Sequence, residues 1–249
     1  MPVCQERRGR VLVITIDREE KRNALNAEVT AGLDAALNEL EDDAELWCGI
    51  LTGGSRFFSA GADLASGPGE PTPRGGIAGL IQRDRVKPLI AAVEGFALGG
   101  GMELVLCCDL VVAAADARFG LPEVKRGLMP DFGGAFRVVR ALPPNIAREL
   151  LLTGDDLTAE RAAALGFVNR VTAPGAALAG ALALAERVCA NAPLAVRAAL
   201  GTSARVARGD ETDLWAYSNA RHAELLATQD FTEGIAAFFA KRAPDWKGL

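Results

Sequence analysis

The stretch LIAAVEGFALGGGMEL, residues 89–104, runs from an apolar segment into three successive glycines and then into a segment of helical character. Leu89–Val93 forms a short apolar run after Pro88, the pattern of a strand buried on both faces. Gly99, Gly100 and Gly101 remove side chains where the chain turns, which exposes main-chain N–H groups to a ligand. Beyond them Glu103 stands among Met102, Leu104, Val105 and Leu106. The unpaired amides at the start of a helix favour negative charge, either a phosphate or an oxyanion formed during a reaction. The dinucleotide fingerprint fails here, because Leu104 stands where its third glycine belongs, and no Walker sequence occurs. An oxyanion site is therefore the expectation. Glu103 taken alone is a glutamate that complements the helix terminus and faces solvent, a reading that its apolar neighbours oppose.

Outward from this stretch, strand and helix patterns mix. VLVITID (11–17), CGILTG (48–53), DLVVAAA (109–115) and a piece near Phe119 carry strand patterns. Asn26 is placed to cap a helix to about Glu41, with Val29, Leu33, Leu37 and Leu40 at helical spacing. FFSAGADL (57–64) turns on Gly61; SGPGEPTPRGG (66–76) suggests a mobile surface loop, followed by a helical segment over 77–86. From about Ala135 helices dominate, with Gly166 at a C-cap position and FVNRV (167–171) as a last short strand. No internal sequence repeat is visible. No boundary is sharper than a gradual change near residues 172–193, and the expected division is a core over 1–190 and a helical region over 191–249.

The 249 residues carry a net charge of −5, with half the chain hydrophobic. No stripe of basic residues and aromatics appears, which argues against nucleic-acid binding. No apolar run is long enough to cross a bilayer, and MPVCQERRGR lacks the apolar core of a secretion signal. Five cysteines (Cys4, Cys48, Cys107, Cys108, Cys189) lack metal-ligand spacing and are expected as buried free thiols of a reducing cytoplasm. Two basic clusters, Arg18, Lys21 and Arg22 near the start and Lys241, Arg242 and Lys247 near the end, are either solvated faces or holders of ligand phosphates. The single histidine, His222, and the pair Trp215 and Tyr217 fall in a helix-like segment and are expected to be structural or subunit-contact residues. No hydrolase elbow and no metal cluster stands out.

Two further glycine-bearing stretches, SAGAD (59–63) and DFGG (131–134), also offer bare backbone. A second carboxylate, Glu123 in FGLPEVKRG, follows a strand-like piece and is flanked by Leu121 and Val124. Two carboxylates at one anion-stabilising site can divide proton removal and proton donation.

FFSAGADL, KPLIAAVEGFALGGGMELVLCCDLVVAAADARFGLPEVKRGL and LLTGDDLTAERAAALGFVNRV, in that order, resemble the enoyl-CoA hydratase/isomerase (crotonase) family. The resemblance extends from KRNALN (21–26) to EGIAAFFAKRAPDWKG (233–248). It implies an α/β fold, a crotonase-like spiral of ββα units, with a helical C-terminal region that builds trimers or hexamers. It also implies an oxyanion hole at the N–H groups of Ala62 and Gly100, with Glu103 and Glu123 adding water across a 2-enoyl-CoA. Glu103 is expected to help activate the water and Glu123 to exchange the α-carbon proton. Ala60, Ala62, Asp63 and Leu64 would line the coenzyme A channel, with Arg22, beside Asn23 and Ala24, at its phosphates and Lys241 reaching it from the tail. No cofactor is expected beyond the coenzyme A of the substrate. One departure concerns Pro130-Asp131-Phe132-Gly133-Gly134, where many hydratases of the family read Pro-Gly-Ala-Gly-Gly. Asp131 is either the cap of the following helix or a third catalytic carboxylate, as in the dienoyl-CoA isomerases it resembles here. Phe132 is expected to reshape the acyl pocket. Hydration is the first reading and isomerisation the second. A catalytically silent acyl-CoA-binding protein is the third, weakened by the presence of both glutamates.

Overall fold

The computed structural model describes residues 2–205, 220, 223, 224 and 226–249. Its main sheet has the order β1-β2-β3-β4-β6-β9, formed by β1 (Val3–Arg8), β2 (Val11–Ile16), β3 (Cys48–Thr52), β4 (Leu89–Val93), β6 (Leu110–Ala114) and β9 (Arg170–Thr172). β1 pairs antiparallel with β2, and every later pairing in this sheet is parallel. β3 and β4 are buried along their whole length, which is why they appear in the sequence as unbroken apolar runs. Alternate residues serve opposite faces. Leu12, Ile14, Leu51 and Ala91 join the larger core, with Leu33, Leu37 and Leu40 of α1 (Ala27–Asp42). Val11, Val13, Ile50 and Ala92 join Ala177, Ala181 and Ala185 of a helix, Ala177–Cys189, on the other face. Those alanines, with Gly180, let the helix approach closely: a β-carbon at Gly180 would stand 2.7 Å from Thr172 Cγ2.

A second row of parallel pairings runs beside the first. Leu25 bridges to Ala62 and Ser59 to Ala97; β5 (Phe96–Leu98) then pairs with β7 (Arg118–Gly120), which meets β8 (Leu157–Thr158) antiparallel. The strands β2, β3, β4 and β6 of the main sheet are each followed by a shorter crossing in the second row, and α2 (Gly100–Val105) follows β5. The chain winds as the expected α/β spiral. Its later helices are α3 (Gly134–Ala141), α4 (Pro144–Thr153), α5 (Ala159–Ala164), α6 (Ala177–Cys189), α7 (Pro193–Arg205) and α8 (Gln229–Ala240).

Asn26 caps α1 as expected, its side chain accepting from the Val29 N–H at 3.0 Å. Gly166 follows α5 with a φ of 82°. Several expectations fail. β1 was not foreseen, because only Val3 of its six residues is buried; charged side chains protect an edge strand and hide it. The last strand lies a few residues later than FVNRV suggests. Segment 77–86 forms only a 3-10 turn, Ile77–Gly79, because Gly76 and Gly79 adopt positive φ and break the helix. The 66–76 loop is tied to α1: Thr30 Oγ1 donates to Pro68 O at 2.5 Å, Thr72 Oγ1 to Asp34 Oδ1 at 2.6 Å, and Arg74 pairs with Asp42 at 2.7 Å. All five cysteines are free, but Cys4 is exposed rather than buried. No helix among the described residues is long and apolar enough to cross a membrane. His222, Trp215 and Tyr217 lie outside the described residues.

Candidate active site

The Ala62 and Gly100 amides meet because two loops are pinned together. Leu25 N–H donates to Gly61 O at 2.8 Å and Asp63 N–H to Leu25 O at 2.9 Å, which turns the Ala62 N–H away from this pairing. Among the described residues that N–H has no acceptor, and Gly100, the first residue of α2, has no intrahelical acceptor for its own. A β-carbon at Gly100 would lie 3.2 Å from the Ala62 nitrogen, and one at Gly61 would lie 2.9 Å from the Gly100 nitrogen. Glycine at both positions is what allows the two donors to stand side by side. With only six residues, α2 contributes little dipole; the directed N–H groups carry the electrostatic effect.

Beneath this pair lie two polar residues that sequence reasoning missed. Buried Asn23 donates through Nδ2 to Gly53 O at 2.8 Å and to Phe57 O and Phe58 O at 3.1 Å. Buried Ser59 donates to Asn23 O at 2.8 Å and accepts from the Gly61 N–H at 3.1 Å. Their only signal was the placement of polar residues inside otherwise apolar or glycine-rich motifs.

Glu103 does not face solvent. It is 1% exposed, and its Oε1 accepts from the Gly134 N–H at 2.7 Å. A β-carbon at Gly134 would occupy the same space, 2.7 Å from that oxygen. Burial pushes the Glu103 carboxyl up to about 7, against the pull of the Gly134 N–H, and Glu123 and Asp131 raise it further. Glu123 lies in the 3-10 turn Pro122–Arg126. Its Oε2 is buried without a partner among the described residues, and its Oε1 stands 3.1 Å from where a Gly99 β-carbon would be. Burial raises its pKa first, and Asp131 raises it too, while Arg126 pulls the other way. The structure therefore brings both glutamates beside the glycine turn that presents the amide pair.

Asp131 is not a helix cap. The cap of α3 is Gly133, at φ 91°, and no side chain caps it. Asp131 is exposed, has no hydrogen bond or ion pair among the described residues, and acts on both glutamates through its charge. Phe132, 7% exposed, places its ring edge 3.2 Å from the would-be Gly100 β-carbon, so it packs beside the amide pair.

Arg22, Ala24, Ala60 and Asp63 form one wall: Ala60 N–H donates to Arg22 O at 3.0 Å, and Arg18 Nη1 donates to Ala24 O at 3.0 Å and Asp63 Oδ2 at 2.7 Å. Leu64 follows, 75% exposed. Arg18 is thus an internal strut, not part of a solvated or phosphate-holding cluster, whereas the Arg22 side chain is exposed. Lys241 is exposed just after α8, and no hydrogen bond or ion pair joins it to this wall. Arg242 and Lys247 pair with Glu233 and Asp245 instead.

Comparison with known proteins identifies the family. The family described as enoyl-CoA hydratase/isomerase matches residues 6–249. A carnitinyl-CoA dehydratase of Salmonella arizonae is 42% identical, with 97% of each chain covered. The crystal structure of enoyl-CoA hydratase from Mycobacterium tuberculosis H37Rv superposes with a TM-score of 0.96 at 45% identity, covering 100% of this chain and 99% of that one. That of carnitinyl-CoA hydratase from Mycobacterium avium gives 0.77 at 44% identity, with the same coverage. The chain belongs to the enoyl-CoA hydratase/isomerase family.

Proposed function

We propose that this hydro-lyase adds water across the α,β double bond of a 2-enoyl-CoA, or removes it in reverse. The observation that supports this most directly is the placement of two carboxyl groups of raised pKa, Glu103 and Glu123, beside one pair of unengaged amides. The thioester oxygen sits between the Ala62 and Gly100 N–H groups, which stabilise the enolate as negative charge builds on it. Glu103, with a pKa near neutrality, takes a proton from the attacking water. Glu123 supplies the proton to the α-carbon. Backbone groups of Ala60, Asp63 and Leu64 line the coenzyme A channel with Ala24, and Arg22 meets its phosphates. Lys241 reaches coenzyme A of its own or a neighbouring subunit, with residues 191–249 forming the contacts of a trimer or hexamer in the cytoplasm.

The names of the carnitinyl-CoA dehydratase and hydratase relatives support a short acyl group with a cationic quaternary-ammonium γ-substituent, as in carnitinyl-CoA. A second reading, isomerisation of an enoyl- or dienoyl-CoA, is favoured by one observation: Asp131, without a hydrogen bond or ion pair among the described residues, acts on both glutamates. Purified protein is incubated with crotonyl-CoA, carnitinyl-CoA, longer 2-enoyl-CoAs and a 3,5-dienoyl-CoA while the enoyl absorbance is followed. Loss of enoyl absorbance from crotonyl-CoA, or its gain from carnitinyl-CoA, is expected. Binding of these thioesters without turnover of any of them identifies a silent acyl-CoA-binding protein instead.

A further inference from the structure

Arg137, on α3, stands behind the turn that carries Asp131, Phe132, Gly133 and Gly134. Its guanidinium meets no carboxylate among the described residues. It grips two backbone carbonyls on separate segments: Nη1 donates to Phe132 O at 3.0 Å and Nη2 to Ile81 O at 2.6 Å. The same group fills the space that a side chain at residue 133 would need. A β-carbon there would lie 2.4 Å from Nη1, and the backbone already adopts φ 91°. The Phe136 ring lies 5.3 Å from the Arg137 Cζ. The turn is thus held from behind by Arg137 and from the front by the Gly134 N–H on Glu103.

We propose that Arg137 is a positioning residue for the reaction: by holding the Phe132 and Ile81 carbonyls, it keeps the Gly134 N–H on Glu103 Oε1. This rests on the hydratase reading above, in which ionised Glu103 takes the proton from water. Arg137 acts through the turn, not by touching the reacting atoms.

The consequence is electrostatic. The groups that face Glu103 are Glu123 from the Pro122–Arg126 turn, Asp131 from the turn before α3, and the Cys107 thiol following α2. The first two oppose its ionisation, and the thiol is held neutral by burial at about 11. What favours the ionised form is backbone donation, first from Gly134 and then from Phe132, the two residues this turn presents. Loosening the turn removes that support, so the base gains its proton at a higher pH.

The test is the pH profile of kcat/KM for crotonyl-CoA hydration in wild type, Arg137→Gln, Arg137→Lys and Glu103→Gln, with melting temperatures alongside. The acidic limb of Arg137→Gln is expected to move up by about one unit, lowering activity about tenfold near pH 6 but only slightly near pH 8.5. Arg137→Lys, which keeps one donor, is expected to move it less in the same direction. It decides the matter if the Gln variant does not fold. A loss that is equal at all pH values, or an unmoved limb, overturns the proposal and leaves Arg137 a purely structural residue. Wild-type turnover in Glu103→Gln overturns the hydratase role of Glu103, and this proposal with it. An inactive Glu103→Gln beside an unmoved limb in the Arg137 variants overturns the Arg137 proposal alone.

Discussion

The Glu123 carboxylate occupies the space above Gly99: a β-carbon on that glycine would stand 3.1 Å from Glu123 Oε1. Gly99 also has φ 53° and ψ −127°, a conformation that L side chains rarely adopt. Gly99→Ala is expected to displace the carboxylate and lower kcat by about tenfold or more, since small misplacements at a reacting centre are costly. Gly166→Ala is the control, because Gly166 has φ 82° but meets nothing within 4 Å. It should lower the melting temperature without lowering kcat. Equal kcat values for Gly99→Ala and wild type would separate Glu123 from the reaction geometry.

Glu103→Gln and Glu123→Gln are each expected to lower turnover of a 2-enoyl-CoA by about 10²-fold or more, the scale of positioned acid–base catalysis. Acyl-CoA binding should change far less, because coenzyme A is expected to bind along the Arg22–Leu64 wall. Steady-state kinetics with calorimetric binding distinguishes the two effects.

The raised pKa of Glu103 also has a stability consequence of definite sign. A carboxyl whose pKa is about 7 folded and 4.5 unfolded binds more protons in the folded state between those values. Its contribution is therefore fully present below about pH 4.5 and is lost as pH rises through 7. Relative to wild type, Glu103→Gln should gain on the order of 3 kcal/mol between those limits. Chemical denaturation at both ends of this range checks it; a difference that stays constant with pH would show that Glu103 is not buried with a raised pKa.

Asp131→Asn should leave the melting temperature unchanged, because Asp131 is exposed and caps nothing. Removing its charge lowers the pKa of both glutamates, so the acidic limb of hydration should move to lower pH, opposite to Arg137→Gln. If Asp131 shuttles protons along a conjugated acyl chain, isomerisation of a 3,5-dienoyl-CoA collapses selectively. Equal dienoyl activity in variant and wild type would remove the isomerase reading.

The assembly is expected to contain at least three chains of 26.1 kDa each. Phe231 and Ile235 on α8 are 44% and 49% exposed in the single chain, an apolar face that a neighbouring subunit would cover. Sedimentation at the mass of one chain would contradict this.

Local pattern was enough to place α1 with its Asn26 cap, the buried strands β3 and β4, and the glycine turn before α2, because each is fixed by side chains within a few residues. The three carboxylates were also visible as chemistry at separate places in the chain. What the sequence did not decide was their environment. Glu103 has a raised pKa because tertiary packing buries it, against the pull of a glycine amide 31 residues away, and no local pattern encodes that burial or that contact. Asp131 fits the composition of a cap, yet the left-handed turn at Gly133 makes glycine the cap and leaves Asp131 its charge alone. The spiral has no repeat in its sequence because its units share only backbone pairings, Leu25 with Ala62, Ser59 with Ala97 and β5 with β7, which many side chains satisfy. Asn23, Ser59 and Arg137 bond to backbone groups of distant segments and Arg18 to the distant Asp63 carboxylate, and such partners exist only after the chain has folded.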